Sequence, residues 1–446
     1  MSAYPNPSSA SARLFERACA TMPGGNSRIA VYQAPYPIFV ARAKGSRVTD
    51  VDGTERIDFI NNQSALVHGH CFEPVVEAVE RQLRLGASFS GPTVAEIELG
   101  EHLKNRVASV ERIRFTNSGS EAVMFAVKAA RAFTGRHKIA KCEGAYHGSY
   151  DFVEISRGSG PDTWGPADAP ARVPYTVGTP PLVAEHAVVV PYNDVERTRT
   201  LLMEEAGELA AIIVEPISNR TGMIPGEAEY FDFLRCFASQ NGILLIYDEI
   251  ISFRAGLGGA QERFPVPDLT TFGKVIGGGF PVGALGGRED VMAVFDQRAG
   301  SPLVPHTGTF NANPISMVAG LAALTAFDSS SVESLNRRGD GVRRAINGLF
   351  AELGYEGQAS GAGSLFRIHF KGERLTDHRS AYPTRAQAAA LTMLHREYTN
   401  RGFVLSANCS GNVSTVSTDS EVDQFLAATR AALSSVFAAA KKPLTA

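Results

Sequence analysis

Lys274 ends the stretch Leu269-Thr270-Thr271-Phe272-Gly273-Lys274 and runs into Val275-Ile276-Gly277-Gly278-Gly279. Twenty-six residues earlier, Asp248 closes the apolar run Gly242-Ile243-Leu244-Leu245-Ile246-Tyr247-Asp248-Glu249. A lysine amine in an apolar, glycine-rich setting can condense with an aldehyde. A carboxylate at the end of a buried strand can hold a proton on a ring nitrogen, so that the ring takes up electrons. The pair meets the needs of pyridoxal phosphate chemistry.

Three further segments could complete such a site. Ser118-Gly119-Ser120-Glu121 follows a strand pattern and opens a helix, with Ser118 and Glu121 at capping-box spacing. A helix start offers free N–H groups to a phosphate, and the glycine allows close approach. The same box also serves as a plain helix cap. Glu143-Gly144-Ala145-Tyr146-His147-Gly148 puts an aromatic between glycines at a strand end, where it can lie on a planar cofactor or simply fill a turn. Glu215-Pro216 and Asp248-Glu249 put three carboxylates at the carboxyl ends of predicted parallel strands, where open α/β sheets bind ligands.

Nucleotide and metal readings fail. Gly277-Gly278-Gly279-Phe280-Pro281-Val282-Gly283 does not fit G-x-G-x-x-G, and Gly273-Lys274 lacks the remaining residues of a P-loop. His68-Gly69-His70-Cys71 has no second ligand cluster, so no metal is expected.

The elements that must position these groups follow from periodicity. The chain has 446 residues, enough for two lobes or domains. Helices are expected over 11–22, 73–85, 93–108, 120–133, 194–206 and 228–240. Strands are expected over 38–41, 47–50, 56–59, 112–116, 138–142, 187–190, 210–214 and 243–247, with a turn at Asp52-Gly53. From about residue 70 strands alternate with helices, which implies a mainly parallel sheet covered on both faces. A helical run at 314–328 leads into an α+β segment, with helices near 333–352, 384–400 and 420–439 and strands near 364–370 and 403–406. Ser156 to Pro174 reads as a long loop, either a lid or a surface excursion.

With 44% hydrophobic and 20% charged residues, the composition is that of an ordinary globular protein. A net charge of −3 supplies no field for nucleic acid or an anionic membrane. No run of 18 apolar residues exists, and the first residues carry no secretory signal. The five cysteines are scattered, which fits free thiols in a reducing, cytoplasmic setting.

From about Pro23 to Val416 the chain resembles the class III aminotransferases of the fold-type I pyridoxal phosphate enzymes. It is close to the branch of glutamate-1-semialdehyde aminomutase and the β-amino acid aminotransferases. The matching motifs are Asn117-Ser118-Gly119-Ser120-Glu121-Ala122, Tyr146-His147-Gly148, Val214-Glu215-Pro216, Asp248-Glu249-Ile250, Gly273-Lys274 and Gly308-Thr309-Phe310-Asn311. The resemblance implies an α/β fold: a large domain around a seven-stranded, mostly parallel sheet, and a small α+β domain from both chain ends. The boundaries are then 1–69 and 325–446 for the small domain and 70–324 for the large one.

The resemblance also implies roles. Lys274 carries the cofactor aldehyde and shuttles the substrate proton. Asp248 pairs with the ring nitrogen, and Tyr146 and Ile250 cover the two ring faces. Gly119 and Ser120 bind the phosphate, with Ser118 and His147 in the same cofactor-binding set, and Thr309 comes from the second subunit of a homodimer. Glu215 shapes the side of the ring hydroxyl. Ser120 stands where the family most often has threonine, and either hydroxyl can donate. Arg28 and Arg401 are the implied holders of a substrate carboxylate. The expected activity is transfer of an amino group from an amino acid, a β-amino acid in the first instance, or an amine to a 2-oxo acid, by a ping-pong route. An intramolecular aminomutase and a broad amine transaminase are the alternatives. Small molecules are the expected partners, with no nucleic acid and no membrane.

Overall fold

The structure, a computed structural model, describes residues 4–439. The chain forms two compact units. The smaller comprises the chain up to Glu73, Ser334–Glu373 and the chain from Pro383 onward; the larger is Pro74–Glu333 with Arg374–Tyr382. The sequence expectation divided the chain at 69/70 and 324/325, and assigned 374–382 to the small domain. Those nine residues belong with the large unit because their side chains bond to it, as described below.

The large unit is built on seven strands: β1 Arg112–Thr116, β2 Lys138–Cys142, β3 Ala187–Val190, β4 Leu209–Val214, β5 Leu244–Asp248, β6 Leu269–Gly273 and β7 Gly283–Gly287. Their order is β1-β7-β6-β5-β4-β2-β3. Only β7 runs antiparallel to its neighbours β1 and β6, so the other six strands point the same way. Their carboxyl ends share one edge of the sheet.

Both faces of this sheet are dry. In β4, Ala211 and Ile213 join one apolar cluster with Val123, Ala126, Val127 and Ala130 of helix α1 (Gly119–Thr134). Ile212 and Val214 join the opposite cluster with Leu234 and Phe237. Alternation of side chains across the strand requires apolar residues at every position when both faces are covered. Polar chemistry is thereby pushed to the strand ends.

The sequence reading lacked β6 and β7. Three of the five residues in Gly283–Gly287 are glycine, a composition that ordinarily disfavours a strand. The register explains the exception. A Cβ on Gly283 would lie 2.1 Å from the Ser118 carbonyl oxygen, and one on Gly287 would lie 2.4 Å from the Asp268 carbonyl oxygen. Only glycine lets this strand fit between β1 and β6.

In the smaller unit, Val40–Lys44, Arg47–Asp50 and Glu55–Asp58 form an antiparallel sheet, with Phe403–Val404 added parallel to the last. Asp50 Oδ1 accepts the N–H groups of Asp52 and Thr54 and so closes the expected turn. Phe59 meets the rings of Phe366, Phe403 and Phe425 at its core. The first strand starts at Val40, not at 38, and the strand expected over 403–406 stops at Val404. Among the described residues no single helix is long and apolar enough to cross a membrane.

Substituting Gly283 with alanine should destabilise the protein by about 1–3 kcal/mol through overpacking against backbone that has no rotamer to move. Chemical denaturation measures this; an unchanged midpoint would contradict the register of β7.

Candidate active site

Five strands of the large unit deliver the expected residues to the shared edge. Asp248 is the last residue of β5, Glu215 follows β4, Lys274 follows β6, and the Tyr146-His147 loop follows β2. Ser118 ends the turn after β1 and caps α1, its Oγ accepting from Glu121 N at 3.2 Å. The Glu121 carboxylate accepts from Asn117 N at 2.6 Å, one residue before the position a capping box would use. The first-turn N–H groups of α1, at Gly119 and Ser120, have no partner within the helix.

Asp248 and His147 form the buried centre. Asp248 Oδ2 lies 2.8 Å from His147 Nδ1, and Oδ1 accepts from Ile250 N at 3.1 Å. Burial pushes the His147 pKa down, against the pull of Asp248, so the ring is held neutral. A carboxylate partner then requires the Nδ1–H tautomer. His147 Nε2 is left buried without a partner.

Lys274 adopts a left-handed backbone, with φ of 50°, that lysine rarely takes. Burial lowers its pKa, while Asp248 and Glu215 act in the opposite sense. Glu215 is pushed up to about 8, first by burial and then by the charge of Asp248. Its oxygens make only long contacts, 3.4 Å to Ser218 Oγ and 3.4 Å to Asn219 N. The third strand-end carboxylate, Glu249, is turned away to accept from Ser252 Oγ and Gln261 N. Its burial raises its pKa to about 7.

The glycines shape a cradle. A Cβ on Gly119 would sit 2.5 Å from Ile250 Cδ1, while one on Gly273 would make ordinary contact with Ile250 and Gly119, at 3.4 and 3.6 Å. Gly148, with φ of 93°, passes so close to Ser120 that a Cβ would meet its Cα at 2.7 Å. Ser120 Oγ accepts from Ser149 N at 3.3 Å. A planar ring with a basic nitrogen, an aldehyde and a phosphate matches this donor set: Asp248, a nearby amine, and open helix-start N–H groups. The residues present therefore fit pyridoxal phosphate.

Three further residues were expected at the site. Thr309 is exposed on a turn of the large unit, beside exposed Phe310. Arg28 and Arg401 belong to the smaller unit. Arg28 donates to Asn62 Oδ1 at 3.0 Å. Arg401 pairs with Glu397 at 2.8 Å, reaches Ser435 Oγ at 3.4 Å, and keeps a buried Nε without a partner.

The segment from Ser156 to Pro174 is fastened, not structureless. Ser156 N donates to the Val173 carbonyl, Val173 N donates to Ser156 Oγ, and Ala171 N donates to the Trp164 carbonyl. Arg379 forks onto Glu143 at 2.7 and 3.0 Å, donates to the carbonyls of Trp164, Gly165 and Pro166, and lies over the Trp164 ring. His378 bonds the Ser159 carbonyl at 2.8 Å. The sequence reading missed Arg379, because its partners lie more than 200 positions away. It also missed Lys141, a fully buried lysine in β2 that donates to the carbonyls of Cys142 and Ile155. Burial draws the Lys141 amine down to about 8. An ionisable residue inside an apolar strand was the available signal.

A carboxyl whose folded pKa exceeds its unfolded value loses stability as pH rises from the unfolded value to the folded one. Cofactor-free Glu215→Gln should therefore melt higher than its parent, with a gap that opens above the ordinary carboxyl value of 4.5 and stops widening near 8. Thermal melts across that range decide; a gap independent of pH would mean that Glu215 titrates normally.

Residues 29–395 match the family model of class-III aminotransferases. Over 431 residues the chain is 37% identical to a glutamate-1-semialdehyde 2,1-aminomutase of Methanosphaera stadtmanae, covering 96% of this chain and 99% of the relative. Among solved structures it is similar to an omega-transaminase from Sphaerobacter thermophilus, with a TM-score of 0.94 and 45% identity over 97% of this chain and 99% of the other. It is also similar to a β-phenylalanine aminotransferase from Variovorax paradoxus, with a TM-score of 0.87 and 35% identity over 96% and 94%. The motifs, the sheet and the cradle thus have one explanation: the chain belongs to the class-III aminotransferases, enzymes of the fold-type I pyridoxal phosphate group.

Proposed function

We propose that the protein moves an amino group within a small, carboxylate-bearing amino aldehyde, as an aminomutase does. The observation that carries this reading is end-to-end similarity, at 37% identity, to a relative named for that activity. The segment Gly158-Ser159-Gly160, held through the Ser159 carbonyl, also resembles the corresponding loop of the aminomutases, which supports this reading. The sequence by itself favoured the intermolecular route, from a β-amino acid or amine to a 2-oxo acid. That remains the second reading, supported by the similarity to an omega-transaminase at 45% identity and to the β-phenylalanine enzyme.

Both readings use one site. Bound pyridoxal phosphate supplies an electrophilic carbon for an amine and a ring that withdraws electrons. Lys274 Nζ, with its lowered pKa, takes a proton from the substrate carbon and returns it to the neighbouring position. Asp248, backed by His147, holds a proton at the ring nitrogen. Tyr146 and Ile250 orient the ring, while Gly119, Ser120 and the Ser118 cap hold the phosphate. Glu215, its pKa raised to about 8 first by burial and then by Asp248, would stand on the side of the ring hydroxyl. Arg28 and Arg401 are the proposed carboxylate holders of the smaller unit.

The readings part on the need for an acceptor. Glutamate 1-semialdehyde should be isomerised by the cofactor-loaded protein with no 2-oxo acid present, and Lys274→Ala should lose at least about 10²–10⁴-fold in rate. Product that forms only after pyruvate or 2-oxoglutarate is added would reject the aminomutase reading in favour of the transaminase.

A homodimer that lends Thr309 to its partner's site is part of the same proposal. Asn313 Nδ2 bonds the Ala87 carbonyl at 2.9 Å, which brings the Thr309 turn beside a segment rich in exposed apolar groups. Phe310 is 58% exposed, Phe89 50% and Leu85 74%, apolar groups that a partner subunit would cover. Sedimentation should give twice the chain mass; a monomer that still turns over would sink this part.

A further inference from the structure

Two asparagines of the smaller unit fasten Arg28. Its backbone N–H donates to Asn26 Oδ1 at 2.8 Å, and one arm of its guanidinium donates to Asn62 Oδ1 at 3.0 Å. Among the described residues no carboxylate pairs with it, and Asn62 is the one side chain its guanidinium bonds. Arg401, the other proposed holder of a carboxylate, is instead paired with Glu397 at 2.8 Å. A carboxylate partner orients a guanidinium and cancels its charge, whereas an amide oxygen orients it and leaves the charge uncompensated.

The backbone that supplies this amide is strained. Asn61, Asn62, Gln63 and Ser64 follow one another with φ of 48°, 49°, 56° and 69°. Asparagine visits this left-handed region singly, but four successive side chains there each bring a Cβ against the next carbonyl. Such a turn persists only where its surroundings impose it. Here Asp58 Oδ1 accepts from Ile60 N at 2.7 Å and Asn61 N at 3.0 Å, and Asp58 Oδ2 meets His70 Nε2 at 2.8 Å. Asn61 Nδ2 donates to Asn412 Oδ1 at 3.0 Å, and Asn412 Nδ2 donates back to the Ile60 carbonyl at 2.9 Å. Asn61 is buried and Asn62 is exposed, so the turn has a fixed root and an open tip. A right-handed turn at the same place would aim the Asn62 amide elsewhere.

We propose that Asn62, held out by this left-handed turn, is a positioning residue that orients Arg28 without neutralising it, and so sets the preference for substrates that carry a carboxylate. This rests on the reading above, in which Arg28 holds that carboxylate. Neither the motifs nor the resemblance gives Asn62 a role.

Asn62→Gly removes the amide and is free of strain at positive φ. Asn62→Asp keeps the shape, the acceptor and the tolerance of left-handed backbone, but adds a charge that competes with substrate for Arg28. Both are compared with the parent and with Arg28→Gln, all loaded with pyridoxal phosphate. Butyrate, an unreactive carboxylate, is titrated by calorimetry. The concentrations of β-alanine and of propylamine that half-saturate single-turnover loss of the cofactor's absorbance band are also measured. Asn62→Gly should weaken butyrate and β-alanine by about three- to tenfold, and Asn62→Asp by at least as much, with propylamine and the limiting rates unchanged. A residue that only supports the fold would give the opposite order, since aspartate restores the acceptor; rescue by Asn62→Asp therefore overturns the assignment. So does an unchanged Asn62→Gly, or a parent that binds no butyrate. If Arg28→Gln weakens butyrate while both Asn62 variants match the parent, Arg28 keeps its role and Asn62 loses its own. If Arg28→Gln matches the parent, the reading of Arg28 fails and Asn62 falls with it. Asn62→Asp decides by itself should Asn62→Gly fold poorly: butyrate binding as tight as the parent's rejects the proposal.

Discussion

A lysine amine and two carboxylates are buried together at the carboxyl edge of a sheet that is dry on both faces. Asp248 and Glu215 are buried and Lys274 is partly so, and the protonation of Lys274 and of Glu215 depends on the charges beside them. Burial favours the neutral amine and the protonated Glu215; the two carboxylates pull Lys274 toward its charged form, while Asp248 pushes Glu215 toward its protonated form and Lys274 pulls it toward the ionised one. The result is a set of groups whose protons are easily exchanged, which is what proton transfer at a substrate carbon needs. Everything else in the large unit serves to keep that edge dry and the groups close.

Close approach has a cost that falls on the glycines. β7 can separate β1 from β6 only because Gly283 and Gly287 present no side chain to the carbonyls beside them. Gly119 and Gly148 do the same where the cap of α1 meets Ile250 and the Tyr146 loop. Each glycine surrenders conformational freedom on folding. The loss is offset by β4 and by the apolar stretch of β5 before Asp248, whose side chains are almost completely out of water.

The Tyr146-His147 loop is held from both ends. On one side Asp248 fixes His147. On the other the Arg379 fork grips Glu143, a nearly fully buried carboxylate, and ties it to the carbonyls of the following loop. A planar guanidinium that bonds a carboxylate and three carbonyls gives one geometry where a lysine would give several. This is why the short stretch 374–382 folds with the large unit although its chain neighbours do not.

The strands and helices of the large unit were legible in the sequence wherever apolar period and length agreed, as in β4, β5 and α1, because local periodicity reports burial directly. The motif residues around Lys274, Asp248 and Tyr146 were legible too, since they occupy short, uninterrupted segments. The strand β7 was not, because its glycines are explained only by backbone that lies elsewhere in the chain. The Arg379–Glu143 fork was equally hidden. It joins residues far apart in sequence whose distance is set by the fold of the large unit. Sequence alone determined the chemistry of the groups and the dry strands that carry them. Tertiary structure decided which charges face one another, because burial and distance, not residue type, set where a proton rests.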